Sequence, residues 1–128
     1  MITERRPDWD TYFTNIAEQV ASRSTCERAM VGAVLVKDNR ILSTGYNGSP
    51  PGEPHCDDIE CLMENGHCER TVHAETNAIA QAAKFGISVN GSTMYIWSYR
   101  YDTDGPAKSC VKCSQVMKSA GIIRVVSF

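Results

Sequence analysis

Two short motifs, His73-Ala74-Glu75 and Cys110-Val111-Lys112-Cys113, constrain this chain more than anything else in it. Each opens a predicted helix that follows a loop, so both project from helix N-termini. Two cysteines three apart at a helix start can grip one ion, and the positive end of the helix dipole favours their thiolates. His73 would be a third ligand, brought in from the other helix. One His and two Cys suit a tetrahedral zinc ion and leave its fourth position open to water, which is the mark of a catalytic site. Glu75, two residues from His73, can approach that water without occupying the metal. Taken alone, a C-x-x-C is also a structural zinc knuckle or a redox pair. The two motifs together, in this order, favour catalysis.

The chain has six cysteines. Five of them, Cys56, Cys61, Cys68, Cys110 and Cys113, lie near a histidine or a second cysteine at metal-ligand spacing, and His55, His67 and His73 fall in the stretch of the first three. An even count also fits three disulfides in a secreted protein. However, Met1-Ile2-Thr3-Glu4-Arg5-Arg6-Pro7-Asp8 has no apolar core after its arginines, unlike a signal peptide. Metal binding is therefore the reading taken forward.

Length and composition narrow the class. A chain of 128 residues is read as one domain, residues 1–128. Lys+Arg is 13 against 15 for Asp+Glu, a net charge of −2, which excludes a strongly basic nucleic-acid clamp. With 42% hydrophobic and 22% charged residues the chain is globular rather than disordered. Its longest apolar run, around residues 30–36, falls far short of the roughly 18 residues a membrane span needs. The expectation is a soluble cytoplasmic protein (host cytoplasm if the source is a virus) with no membrane partner.

Trp9, Tyr12, Phe13, Ile16, Ala17 and Val20 fall on one face of a helix, with Asp8 as its N-cap and a stop at residues 22–25. Residues 31–36 and 40–46 read as a hairpin turned by Asp38-Asn39, its first strand apolar enough to be covered on both faces. Residues 47–70 form a long loop, which inside a compact domain needs a function or an internal clamp. Beyond it the pattern predicts a helix over 72–85, a strand over 92–97, a loop over 98–109, a helix over 110–120 and a strand over 122–128. Right-handed crossovers then give an α/β layered sheet with helices on both faces.

H-x-E with a distant C-x-x-C, and a Glu that is not a ligand, is the arrangement of the zinc nucleobase deaminases. Three blocks sharpen the match. They are Ser24-Thr25-Cys26-Glu27-Arg28 with Val31-Gly32-Ala33-Val34, then Thr44-Gly45-Tyr46-Asn47-Gly48-Ser49-Pro50, and finally Gly66-His67-Cys68-Glu69-Arg70-Thr71-Val72-His73-Ala74-Glu75-Thr76-Asn77-Ala78-Ile79. Through them the chain, from about residue 22 onward, resembles the bacterial and phage deoxycytidylate (dCMP) deaminases of the cytidine deaminase-like superfamily. The resemblance implies a three-layer α/β/α fold whose mixed sheet opens with a hairpin, C-terminally short with about four strands. It also implies hydrolytic deamination of dCMP to dUMP and ammonia, supplying dUMP for thymidylate synthesis. A deaminase of dCTP or of a base in nucleic acid is the near alternative, and a non-catalytic zinc-binding interaction module is the alternative from another class.

By the same resemblance His73, Cys110 and Cys113 hold the catalytic zinc, and Glu75 moves protons from the attacking water to ring N3 and then to the leaving ammonia. The Ala74 N–H would hold the pyrimidine carbonyl. Asn47 would meet the sugar and its 3′-hydroxyl, although Asn-Gly is also a plain turn former. A second, structural zinc in some relatives implies Cys26 and Cys56 as ligands here; Cys61 and His67 are chosen to complete them, with Cys68 as a substitute and buried thiols as the alternative. Arg28 is the first candidate for the 5′-phosphate because its planar fork suits that group, with Ser24 and Ser22 as hydroxyl donors. A solvated surface role is the other reading of Arg28. Relatives also imply dCTP and dTTP as effectors, with contacts expected in the loop 45–52, and a homo-oligomer. Two departures stand out: Ser109 precedes Cys110 where the family has proline, and the family continues past the strand at which this chain stops.

Overall fold

Asp38 and Asn39 take φ values of 52° and 58°, the left-handed region that short polar side chains tolerate. Two such residues in succession turn a hairpin with the twist its strands need. They join strand β1 (Ala29–Lys37) to β2 (Arg40–Tyr46), paired antiparallel with a register shift between Leu35 and Val36. The structure, a computed structural model, describes residues 5–26, 28–48, 63–64, 67–68, 73–101 and 111–127. The remaining described elements are α1 (Trp9–Ala21), β3 (Met63–Glu64), β4 (His67–Cys68), α2 (Ala74–Lys84), β5 (Thr93–Arg100), α3 (Val111–Ser119) and β6 (Arg124–Ser127).

The main sheet has the order β2-β1-β5-β6, with β1 antiparallel to β5 and β5 parallel to β6. β1 is central, and its residues alternate between two cores. Ala33 and Leu35 pack with Ala74, Ala78 and Ala82 of α2, Met117 of α3, and Met94 and Ile96 of β5. Val34 and Val36 pack on the opposite face with Phe13 and Ala17 of α1 and with Tyr95. That is the expected three-layer arrangement, and it explains why β1 is apolar throughout. Each large side chain fully buried here, such as Phe13, Leu35 or Met94, contributes about 1.5–3 kcal/mol.

The helix ends follow the sequence closely. Asp8 caps α1 by accepting from the Thr11 N–H at 2.7 Å, and α2 ends at Phe85 just before Gly86. Several boundaries differ from expectation, β1 among them, which spans Ala29–Lys37 rather than 31–36. β5 runs three residues past Trp97, because β1 begins at Ala29 and pairs with it as far as Arg100. β6 is shorter than its apolar run. The stretch read as a structureless loop contains the two-stranded hairpin of β3 and β4, in which Met63 pairs with Cys68 and Glu64 with His67.

One polar network ties α1 to the far edge of the sheet. The Asp10 carboxylate accepts from both terminal nitrogens of Arg124, at 3.0 and 2.6 Å, and from the Tyr95 hydroxyl at 2.7 Å. Hydrogen bonds from Arg124, then from Tyr95, hold the Asp10 carboxyl at about 2, below its ordinary 3.8. A carboxylate whose pKa is depressed by folding stabilises fully above the unfolded value and loses that contribution as pH falls through the folded one. The melting-temperature difference between wild type and Asp10→Asn is therefore expected to be constant near neutrality and to shrink from pH 4 to pH 2. Thermal melts across that window check it, and a difference independent of pH would contradict it.

Candidate active site

β2 and β5 run in the same direction, so the helices that follow them, α2 and α3, begin over the same end of the sheet. Ligands of open α/β sheets bind outside the carboxyl ends of the strands for this reason. His73 is the N-cap of α2 and makes no side-chain capping bond. A helix start normally uses Ser, Thr, Asp or Asn there. Here the imidazole is turned elsewhere: its Nδ1 lies 3.1 Å from Sγ of Cys113, on the first turns of α3. Oγ1 of Thr76 stands 3.7 Å from the same sulfur.

This pair fits zinc. An imidazole nitrogen and a thiolate are its preferred donors, and two ligands of one tetrahedral ion stand about 3.5 Å apart at ordinary bond lengths. Cys113 is buried at 3% exposure. Cys110 lies outside the described residues, and among the described residues His73 and Cys113 gain no third His, Cys, Asp or Glu donor.

Glu75 occupies the first turn of α2 and is only 5% exposed. Among the described residues the buried side-chain atom left without a hydrogen-bond partner is Thr14 Oγ1, not an oxygen of Glu75. Glu75 follows His73 by two residues at the same helix start. The Ala74 N–H, at the first helical position, is one of the groups a helix start leaves unbonded.

Asn47, at the exit of β2, is 6% exposed. Its Oδ1 accepts from the Val31 N–H at 2.9 Å and its Nδ2 donates to the Ala29 carbonyl at 2.8 Å. The amide thus continues the β1 ladder, and it keeps one N–H and one lone pair for another partner. The Ser24 hydroxyl donates to the Asn47 carbonyl at 3.0 Å and stands 3.4 Å from the Ala29 carbonyl, which places it beside the Asn47 turn. Arg28 lies half-buried at the same end of the sheet, its carbonyl accepting from the Tyr101 N–H at 3.0 Å beside the Ala29–Arg100 pair.

Cys26 is unbridged and partly buried. The expected companions Cys56 and Cys61 lie outside the described residues, and of His67 and Cys68 only the β4 backbone is described. Sequence reasoning missed Thr76, Ser43 and Asn77. Ser43 Oγ donates to the Ala78 carbonyl at 2.7 Å, and Asn77 Nδ2 donates to the Tyr46 carbonyl at 2.9 Å. Both fasten α2 to β2. The only signal for Thr76 and Asn77 was their place inside the His73 block.

Fold and site together define a three-layer α/β protein with an imidazole–thiolate pair and a buried acid at two adjoining helix starts. A family model for the cytidine and deoxycytidylate deaminase zinc-binding region matches residues 7–128, and the chain belongs to that family. It is 43% identical over 117 residues to ComE operon protein 2 of Bacillus subtilis, covering 91% of this chain but only 57% of that one. It is 37% identical over 133 residues to the deoxycytidylate deaminase of Mycobacterium phage D29, covering 94% of each. Among solved structures, the dCMP deaminase of cyanophage S-TIM5 in complex with dCMP and dUMP superposes with a TM-score of 0.75 at 29% identity, over 98% of this chain and 86% of that one. No helix among the described residues is long and apolar enough to cross a membrane.

Proposed function

We propose that this chain, acting as one domain over residues 1–128, hydrolyses dCMP to dUMP and ammonia. The observation that carries the reading is the His73–Cys113 pair, 3.1 Å apart, with the largely buried Glu75 two residues from His73 at the same helix start. The phage D29 relative, matched over nearly its whole length, and the cyanophage enzyme bound to dCMP and dUMP support this substrate. His73, Cys110 and Cys113 would hold zinc, which when bound makes water acidic enough to attack near neutral pH.

The rest is the work of this chain's own groups. Glu75 accepts a proton from the attacking water and delivers it to N3 of the cytosine ring. It then takes the second proton from the oxygen now on C4 and gives it to the departing amine, so that the C–N bond breaks, the C4 carbonyl forms and ammonia leaves. The Ala74 N–H donates to the pyrimidine carbonyl. The N–H and lone pair that Asn47 keeps in reserve meet the 3′-hydroxyl, and Arg28 pairs with the 5′-phosphate. Cys26, Cys56, Cys61 and His67 form a second, structural zinc site, with Cys68 able to substitute. The enzyme works in the cytoplasm, and it takes dCTP and dTTP as effectors. It assembles beyond a monomer, as the exposed Val125 on the edge strand β6 and Ile123 just before that strand support.

Ammonia release from dCMP, dCTP, deoxycytidine and a cytosine-containing oligonucleotide, measured on one zinc-analysed preparation, tests the proposal. Turnover is expected to be greatest with dCMP, with two zinc ions per chain falling to one in Cys26→Ser. Preference for the oligonucleotide would move the reading to nucleic acid, and no turnover on any substrate would leave a binding module. One zinc, indifferent to Cys26→Ser, would remove the second site.

A further inference from the structure

Asn77 is a weak helix former placed in the alanine-rich start of α2, between Ala74 and Ala78, which are both buried against the sheet. Its bonds account for its presence. Its backbone N–H donates to the His73 carbonyl at 2.9 Å, and its Nδ2 donates to the Tyr46 carbonyl at 2.9 Å. The Tyr46 carbonyl and the Asn47 N–H belong to one planar peptide unit. That N–H donates to the Val31 carbonyl at 3.2 Å. The unit is therefore held from two sides, its oxygen by α2 and its N–H by β1. Its plane sets where the Asn47 side chain emerges.

We propose that Asn77 is a positioning residue: by gripping the Tyr46 carbonyl it fixes the Tyr46–Asn47 peptide and aims the Asn47 amide at the sugar of the nucleotide. Through the same residue, the helix that carries His73 and Glu75 is registered against the turn that carries Asn47. Base and sugar contacts are thereby held in one frame. The proposal rests on the reading that Asn47 meets the 3′-hydroxyl, and it adds the device that holds Asn47 in place.

The test compares dCMP with 2′,3′-dideoxycytidine 5′-monophosphate, which lacks the 3′-hydroxyl. Asn77→Ala is expected to lower kcat/KM for dCMP about fivefold to tenfold, mostly through KM, the scale of one hydrogen bond. Turnover of the dideoxy analogue should hardly change, so the preference for dCMP collapses while zinc content stays at the wild-type level. Equal losses on both substrates would make Asn77 merely structural, and no loss would remove its role; either outcome overturns the proposal. Asn77→Asp, equal in size but with no proton to give at neutral pH, repeats the comparison if the alanine variant does not fold. Asn47→Ala separates the two readings. If it leaves the preference for dCMP intact, the sugar role of Asn47 falls and this inference falls with it. If it abolishes the preference while Asn77→Ala does not, only this inference falls.

Discussion

Glu75→Ala is expected to keep its zinc and its fold while losing turnover by 10⁴-fold or more. General acid–base groups contribute roughly 10²–10⁴-fold, and one carboxylate that serves the water, ring N3 and the leaving amine should lie at or above the top of that range. The stability side of the prediction is as informative. A buried acid that the fold relies on is paired, and removing one partner of such a pair costs about 3–5 kcal/mol. Glu75 is 5% exposed, and the side-chain bonds that fasten α2 to β2 come from Ser43 and Asn77 instead. Its replacement should therefore leave the melting temperature unchanged or raise it, as happens when a group is retained for chemistry at a cost to the fold. Glu75→Gln, which keeps the shape and removes the ionisable oxygen, should behave in the same way. Metal analysis, thermal melts and dCMP turnover on the same preparations decide the matter. A metal-loaded variant with near-normal kcat would end the mechanism.

What the sequence carries well is what depends on neighbours along the chain. The spacing of Trp9, Phe13, Ile16, Ala17 and Val20 predicts α1, and Asp8 caps it as expected. Asp38-Asn39 marks the hairpin because the left-handed backbone at both positions is a local property. His73 and Glu75 can be picked out together because both lie at one helix start, within two residues of each other along the chain. What depends on distant partners is harder to read. β5 continues to Arg100 only because β1, far back in the chain, supplies Ala29 as its partner. The bond from the Ser24 hydroxyl to the Asn47 carbonyl, 23 positions on, is equally invisible along the chain. Asn47 shows the limit most clearly. Asn-Gly signals a turn, yet the amide is built into the β1 ladder, with one donor and one acceptor left over. Neither the turn reading nor the ligand reading alone contains that arrangement.

Two glycines on adjacent strands separate the fold from the site. Gly45 pairs with Ala33, the neighbour of Gly32, and the two glycines face opposite sides of the sheet. A Cβ on Gly32 would meet the Ala17 carbonyl and lie 2.5 Å from the Ala21 nitrogen, so α1 rests directly on β1 there. A Cβ on Gly45 would meet the Ala78 nitrogen and lie 2.5 Å from the Ala74 carbonyl, so α2 rests on β2 in the same way. Both obstacles are helix backbone, which cannot swing aside as a side-chain tip can. Gly32→Ala and Gly45→Ala should each cost about 1–3 kcal/mol or more, the scale of overpacking in a tight core. Their effects on catalysis should differ. Gly32→Ala displaces a helix that carries no proposed site residue, and at temperatures where it remains folded its kcat/KM should stay within a few-fold of wild type. Gly45→Ala pushes on the Ala74–Glu75 peptide and on the Ala78 nitrogen, and strains the Ser43 and Asn77 bonds that register α2 on β2. A displacement of about 1 Å in a catalytic group can cost about 10²-fold, and zinc held through His73 should be lost more readily to a chelator. Melting curves, zinc retention and kcat/KM measured side by side make the comparison. If the two variants lost activity only in proportion to stability, the contact between Gly45 and α2 would belong to the fold alone.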